Sequence, residues 1–589
     1  MKLLSLKIGQ MEKSFRSLYS GFEINFHSLS DTEGMEEFRP FCFAGLNGSG
    51  KSNVLEALAN IFYHLEICVA RYLPDSIRDK KNFKREVCSP NAFTLEYLIG
   101  QHNGSAYILE NFDKVTISKK VGEEPIMEIR KYPFDQKKGQ NISLIPDLKF
   151  DIETPGKAYL PDHIIGYSSG ENEILSLPFI KARLVHLDEF KQYTKNDIAH
   201  YDEPENGLIY IDNAMSQAVL LSCLLLEKKE ALKPLNTEIG IECLESFRMH
   251  INLKNFKYQI KKDNSTTTEE KPVLTILENH QLDKFKRCAT SWFINDERLV
   301  LDFYVGKDGE KGYNPTKEAF KTHFGNSSLN LFQAFRLLYE LNNHFLDDST
   351  KEEVYRSQGY YTDGKIPTGG PNDDVFHFLD FMIIKKMKSS GEEKSLLLRN
   401  FSDGEHQLLH TMGICLLLKA KRAILLLDEP ETHFNPSWRA KFIKMLNESV
   451  TAGNQENYEN GIFNVHYLKD IILTSHSPFV ISDCLPNNVI FFDKDGRTQH
   501  LKAKKASEMG INTYGASVDF ILEKMFRFDQ SIGDKSLSEL ELDYAKIKTK
   551  EDILSAKDII SRLGESIEKD LVLAKLNQLN RNLNNDNSN

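Results

Sequence analysis

Two kinds of hydrophobic pattern alternate along the chain. Short continuous apolar runs at Phe41–Ala44, at Ala423–Leu427 and inside "DIILTSHSPFV" fit strands buried on both faces of a parallel sheet. Stretches with a 3.6-residue period predict helices. Val54, Leu55, Leu58, Ile61, Phe62 and Leu65 share one helical face, and "AMSQAVLLSCLLLEKKEAL" and "LNLFQAFRLLYELNNHFL" are helical in the same way. The segment "FTLEYLIGQHNGSAYILE" is expected to be an antiparallel hairpin, within a strand-rich region that has turn signals at Asn103 and Gly122.

The order of these elements predicts an α/β fold with a mixed sheet, an antiparallel subdomain and a large helical insertion. Residues 1–175 form an amino-terminal lobe, 176–395 a mainly helical insertion, 396–500 a carboxyl-terminal lobe where the sheet resumes, and 501–589 a helical region. Two polar or Gly/Pro-rich stretches, "KKDNSTTTEEKP" and "SQGYYTDGKIPTGGPNDD", interrupt the insertion. The tail "NQLNRNLNNDNSN" loses apolar content and is expected to be disordered. No heptad seam is long enough for an extended coiled-coil arm, and no internal repeat stands out.

Composition narrows the class. At 589 residues the chain exceeds one ordinary core, while 40% apolar and 27% charged residues are ordinary for a water-exposed globular protein. No apolar run approaches the roughly 20 residues of a membrane span, and "MKLLSLKIGQ" lacks the pattern of a signal peptide, so a cytoplasmic protein without membrane contact is expected. The eight cysteines stand singly, away from zinc spacing, which predicts reduced and mostly buried thiols. A net charge of −11 gives no global attraction to nucleic acid. The cluster Arg78, Lys80, Lys81, Lys84 and Arg85 leaves a local contact open, although a solvated face is its ordinary meaning.

Four motifs carry chemistry. In "FCFAGLNGSGKSNVLEALANIF", Gly45 and Gly50 to Ser52 fit G-x-x-x-x-G-K-[ST] between a predicted strand and a helix. Glycines let bare backbone N–H groups approach a triphosphate, and the helix amino terminus adds positive potential. Gly45, Asn47, Gly48, Ser49, Gly50, Lys51, Ser52 and Asn53 are therefore the candidate nucleotide-binding residues, with Lys51 reaching the β- and γ-phosphates and the Ser52 hydroxyl a ligand for Mg²⁺. In "RAILLLDEPETHFNP", Asp428 and Glu429 follow a buried strand at the end where α/β sheets bind ligands. Asp428 is the candidate for Mg²⁺ and Glu429 for polarising an attacking water. The histidine strand ends at His476, flanked by Thr474, Ser475 and Ser477, which suits sensing of a γ-phosphate. In "FSDGEHQLLH", Ser402, the Gly404 N–H and the helix beginning near Glu405 form another anion site, with an ordinary helix cap as the plain alternative.

This order of glycine loop, Ser-x-Gly-Glu turn, acidic strand and histidine strand resembles the ATP-binding-cassette (ABC-type) P-loop ATPases, in the branch with SMC, RecF and OLD-type proteins. The resemblance implies an ATPase head using ATP and Mg²⁺, in which "SDGEHQ" is the signature motif, more usually Ser-Gly-Gly-Gln. It also implies a homodimer or higher oligomer with composite sites, where Ser402, Gly404 and Glu405 contact the nucleotide held by another subunit. Arg16 of "SFRSL" resembles the basic residue of the F-[KR]-S motif near the nucleotide. Where the family has its glutamine loop, this chain has "HIIGYSSGENEIL". Ser169, Glu171 and Asn172 are candidates for that coupling role, with a structural turn equally open.

Together with "GYSSGENEILSLPF" and "TSHSPFVISDCLPNNVIFF", these motifs resemble restriction-system-associated AAA ATPases, notably the ATPase subunits of Septu antiphage systems and their retron-linked relatives. That resemblance implies an ATP-hydrolysing subunit that controls a separate HNH-type nuclease. In the retron-linked form a reverse transcriptase and its RNA–DNA product also take part. No H-N-H arrangement occurs here, and "FFDKDG" near Asp493 is expected to be a strand end and turn rather than part of a nuclease domain. The alternatives are a RecF- or OLD-like DNA-repair ATPase without a toxic partner, and a nucleotide-gated scaffold.

Overall fold

The structure is a computed structural model of the full chain. It describes all residues except 72, 75–76, 78–81, 101–107, 147–153, 171–172, 196–205, 254–259, 263–264, 268–280, 358–365, 367–373, 389, 419–420, 453–467, 499, 529–531, 543 and 587–589. The chain divides into two compact units, Met1–Tyr514 and Gly515–Asn589.

In the first unit the three continuous apolar runs become neighbouring strands. A seven-stranded sheet has the order Leu501–Lys505, Val489–Lys494, Phe41–Gly45, Lys469–Thr474, Ala423–Asp428, His163–Ser168, Leu208–Tyr210. All neighbours are parallel except the antiparallel pair at the Leu501–Lys505 edge. Phe41–Gly45, Ala423–Asp428 and Lys469–Thr474 are buried along their whole length, as continuous apolar runs require. Register pairs Asp428 with both Thr474 and Ser168, so the polar residues that end these strands line up across one edge of the sheet.

A six-stranded antiparallel sheet has the order Glu23–Asn25, Lys2–Ile8, Phe93–Gly100, Phe112–Lys119, Ile126–Lys131, Gln140–Ile142. The expected hairpin is present with a different second strand. Phe93–Gly100 pairs with Phe112–Lys119, and Leu109–Asn111 is a short 3₁₀ turn rather than strand. The Asn103 turn signal lies outside the described residues, whereas Gly122 occupies a turn at φ +75°. The helix Lys51–Val69 is buried on nearly every side and shares one apolar core with both sheets. Each fully buried Leu or Phe on it, such as Leu58 and Phe62, contributes about 1.5–3 kcal/mol. Arg422, 4% exposed, ties the sheets together by donating to Asp162 of one and to the Gly100 and Ala158 carbonyls beside the other.

The stretch expected to be mainly helical holds long helices, Glu173–Lys195, Asn213–Leu226 and Ser328–Glu340 among them, but also a five-stranded antiparallel sheet. Its order is Ser291–Asn295, Arg298–Tyr304, Ile241–Asn252, Phe376–Lys386, Glu393–Leu397. Phe247, Phe303, Phe320 and Phe378 pack on one another there. Aromatic and β-branched residues favour a pleated, half-buried surface, and that preference outweighs the helical spacing nearby.

The sheet also runs past the expected lobe end at 500, because Leu501–Lys505 is its edge strand. "FFDKDG" is a strand end, Val489–Lys494, followed by a turn. The second unit packs helices Asp534–Leu540, Lys550–Ser561 and Ile567–Asp586 around Leu540, Ala556, Ile560 and Leu576. The asparagine-rich tail expected to be disordered continues that last helix through Asp586. Seven of the eight cysteines are buried, all are free thiols, and no described helix is long and apolar enough to cross a membrane.

Candidate nucleotide-binding site

Gly45 ends its strand at φ +143°, where an added Cβ would lie 2.4 Å from the Phe492 carbonyl oxygen of the neighbouring strand. Gly50 caps the helix at φ +85°, where a Cβ would lie 2.4 Å from Ser17 Oγ. Both positions therefore demand glycine. Gly48, at φ +71°, faces open space. Lys51 is 6% exposed, and its Nζ donates to the carbonyls of Gly45 at 3.1 Å and Leu46 at 3.2 Å. Burial lowers its pKa, while Glu429 and Asp428 work against the shift. The ammonium folded back on its own loop and the buried Ser49 hydroxyl, which has no hydrogen-bond partner among the described residues, make a cradle whose donors suit an anionic phosphate.

Across the sheet, Asp428 Oδ1 accepts the Ser52 hydroxyl at 2.9 Å and the Thr474 hydroxyl at 2.7 Å. Thr474 Oγ1 in turn accepts the Glu429 N–H at 3.0 Å. A hydroxyl of the loop and a carboxylate of the acidic strand thus meet as a pair of hard oxygen donors, the set that Mg²⁺ takes beside phosphates. Glu429 leaves the strand at φ +50°, and its carboxyl is half-exposed. Burial, then the adjacent Asp428, pushes its pKa up. His476 Nε2 stands 3.4 Å from Glu429 Oε1. Burial and then Lys51 press the imidazole pKa down to about 4, so the ring is neutral at pH 7 and the contact is not an ion pair.

Ser402 caps the helix Asp403–Leu417 in a reciprocal box with Glu405. The Glu405 carboxylate accepts the Ser402 N–H at 3.0 Å and hydroxyl at 3.2 Å, and pairs with Lys385 of the inserted sheet. Burial alone would raise the Glu405 pKa, but Lys385 and Ser402 hold it below the ordinary range. Among the described residues, no hydrogen bond joins Ser402 to the phosphate loop. The turn after the acidic strand meets the helix instead. Gln407 accepts the His433 N–H at 2.9 Å, and a Cβ on Gly404 would lie 2.8 Å from the His433 carbonyl oxygen.

Arg16, at φ +53°, donates to Glu56 through Nε and Nη2, while Ser17 accepts from Asn53 at 2.7 Å, so "SFRSL" braces the first turn of the helix. Ser169 lies beside the acidic strand, its N–H donating to Asp428 O at 3.2 Å and its hydroxyl to Thr432 at 3.0 Å. Glu171 and Asn172 lie outside the described residues, as do Arg78, Lys80 and Lys81 of the basic cluster. Lys385, Gln407 and Glu431 belong to the site's framework and were given no role from sequence. Gln407 and Glu431 sit inside quoted motifs, whereas nothing in the spacing marks Lys385.

Residues 254–482 are similar to the family described as "AAA domain, putative AbiEii toxin, Type IV TA system", a match that includes Ser402, Asp428, Glu429 and His476 but not the glycine loop. No curated protein matches the chain. Solved structures with some likeness include an SMC head bound to the C-winged helix domain of ScpA, at 9% identity and TM-score 0.30 over 86% of this chain and 99% of that one. Another is the SMC head domain from Thermotoga maritima, at 11% identity and TM-score 0.29 over 86% and 99%. A third is the Pyrococcus furiosus Smc head with an extended coiled coil, bound to the C-terminal domain of ScpA, at 11% identity and TM-score 0.29 over 86% and 98%.

Proposed function

We propose that this chain binds and hydrolyses ATP, as the ATPase subunit of an antiphage defence complex that controls a separate HNH-type nuclease. The observation that carries the ATPase reading is the convergence of Lys51, the Ser52–Asp428–Thr474 cluster and the Glu429–His476 pair at one edge of the parallel sheet. Lys51 would exchange its loop carbonyls for phosphate oxygens. Ser52 and Asp428 would hold Mg²⁺, which supplies neutralisation of phosphate charge when bound. Glu429, its carboxyl pushed up by burial and by Asp428, is suited to take a proton from water, and the neutral His476 to hold the γ-phosphate side by hydrogen bonding.

Ser402 and Gly404 would serve the nucleotide of a second copy, and Glu405 would then give up its two bonds to Ser402. The defence reading rests on the motif resemblance to Septu and retron-linked ATPases and is joined by a family description that names a toxin system. The helical carboxyl-terminal region, about Gly515 to Leu576, or the helical insertion is the proposed dock for the nuclease.

The test pairs two variants. Lys51→Ala abolishes ATP binding, whereas Glu429→Gln keeps binding and loses turnover. Ser402→Arg is inactive alone and regains activity when mixed with Lys51→Ala, because one site of the mixed dimer stays complete. Co-expression with the neighbouring gene then identifies the partner. A purified chain that degrades DNA by itself overturns the nuclease-control reading in favour of a self-contained repair enzyme.

A further inference from the structure

The turn after the acidic strand buries another carboxylate, Glu431, which has no part in the reaction described above. It is 3% exposed, and its Oε1 accepts the Ser475 hydroxyl. Ser475 Oγ itself accepts the Ser477 N–H at 2.9 Å, and the Ser475 N–H donates to Phe43 O at 3.0 Å. The residues on both sides of His476 are therefore fixed, from below by Glu431 and from the side by the phosphate-loop strand. Glu431 Oε2 is shut off from solvent with no hydrogen-bond partner among the described residues.

Burying a carboxyl with a single side-chain donor costs free energy that an apolar residue of the same volume would not. Burial pushes its pKa up to about 7, with Glu429 on the same turn adding to the rise, Arg439 from the next helix opposing it, and Cys42 of the phosphate-loop strand also facing it. Stability does not account for such a group. What it does hold is the segment that sets His476 against Glu429.

We infer that Glu431 is a positioning residue for the proposed hydrolysis, acting through Ser475 to fix the His476 imidazole beside Glu429. The inference rests on the ATPase reading. A loosened segment displaces the imidazole without touching the phosphate cradle, so turnover falls while nucleotide affinity stays.

The experiment compares Glu431→Ala, Glu431→Gln, Ser475→Ala and the double Ala variant in the full chain. It reads kcat and KM for ATP, and the His476 ring signal in ¹³C-histidine-labelled protein, assigned with His476→Asn. Both single Ala variants should lower kcat about tenfold, keep KM within about twofold and shift the ring signal. The double variant should be no worse than the poorer single, since both break one link. Gln keeps the acceptor oxygen and should restore kcat to within about threefold of the unmodified chain. An unmoved ring signal with unchanged kcat, or additive losses in the double variant, overturns the assignment. Should Glu431→Ala not fold, Ser475→Ala and Glu431→Gln decide the matter. If the unmodified chain does not hydrolyse ATP, the ATPase reading fails, while the ring signal still tests the positioning.

Discussion

Asp428 separates two roles that a single substitution would confound. Its Oδ1 accepts the Ser52 hydroxyl at 2.9 Å and the Thr474 hydroxyl at 2.7 Å, and Thr474 has no solvent exposure. Asp428→Ala removes the acceptor that both bonds share and strands a buried Thr474 donor. With hydrogen bonds to charged groups worth about 1.5–3 kcal/mol each, and some relief from no longer burying the carboxylate, the net loss is about 2–4 kcal/mol. Asp428→Asn keeps an acceptor oxygen in the same place and gives up only the charge, costing about 1 kcal/mol as two charge-assisted bonds become neutral ones. The chemistry should not share that order: Mg²⁺ needs the anionic oxygen that both Asn and Ala lack, so both variants should lose turnover. Denaturant titration of the nucleotide-free protein measures the first effect, and Mg²⁺-dependent ATP turnover the second. The Asn variant should unfold near the midpoint of the unmodified protein yet lose turnover. Equal destabilisation by Asn and Ala would show that the hydroxyl bonds do not hold this corner, and retained Mg²⁺-dependent turnover in the Asn variant would remove Asp428 from the metal site.

Three further outcomes follow from the packing. Arg422→Ala removes the guanidinium shared by Asp162 and two carbonyls, while the backbone N–H at that position still donates to Asp162, and should cost about 3–5 kcal/mol, read as a lower denaturation midpoint. Gly404→Ala drives a Cβ to 2.8 Å from the His433 carbonyl and should cost about 1–3 kcal/mol by overpacking, more than offsetting its gain in helix propensity; an unchanged midpoint would mean that the turn gives way. Stability should also fall in acid. Burial depresses the pKa of His64 to about 3, His163 to about 4 and His410 to about 3, so the unfolded chain takes up their protons first; this stability is complete above roughly pH 6.5 and is lost below it at about 1.4 kcal/mol per pH unit per histidine. Glu431, raised to about 7, opposes this, since its contribution is complete below its unfolded pKa and lost as pH rises to about 7. One group against three leaves a net fall in melting temperature from pH 6.5 to 4.5, and His410→Gln should make that fall shallower.

The local patterns alone determined a good deal. A strand, a glycine loop and a helix in direct succession need no distant residue to define them, because left-handed backbone at Gly48 and Gly50 and an apolar helix face are properties of one short segment. Continuous apolar runs likewise announced strands buried on both faces, and Asp428 was legible as the polar end of one, whereas the strand expected to run to His476 stops at Thr474. Tertiary structure decided everything that depends on which runs become neighbours. Only the register of Ala423–Asp428 against Lys469–Thr474 puts the Thr474 hydroxyl on Asp428, and only the fold back across 376 residues brings Ser52 to the same carboxylate. The inserted antiparallel sheet escaped the pattern because its strands pair across long separations, as Ile241–Asn252 does with Phe376–Lys386, and its Lys385 reaches Glu405 through that pairing alone. Glu431 shows the same limit most plainly. Its sequence neighbours make it one more acid in an exposed-looking turn, and only the packing of the histidine segment over it turns it into a buried partner of Ser475. Periodicity records how each segment meets solvent, but a hydrogen bond between distant segments depends on the chain path between them, which no local pattern contains.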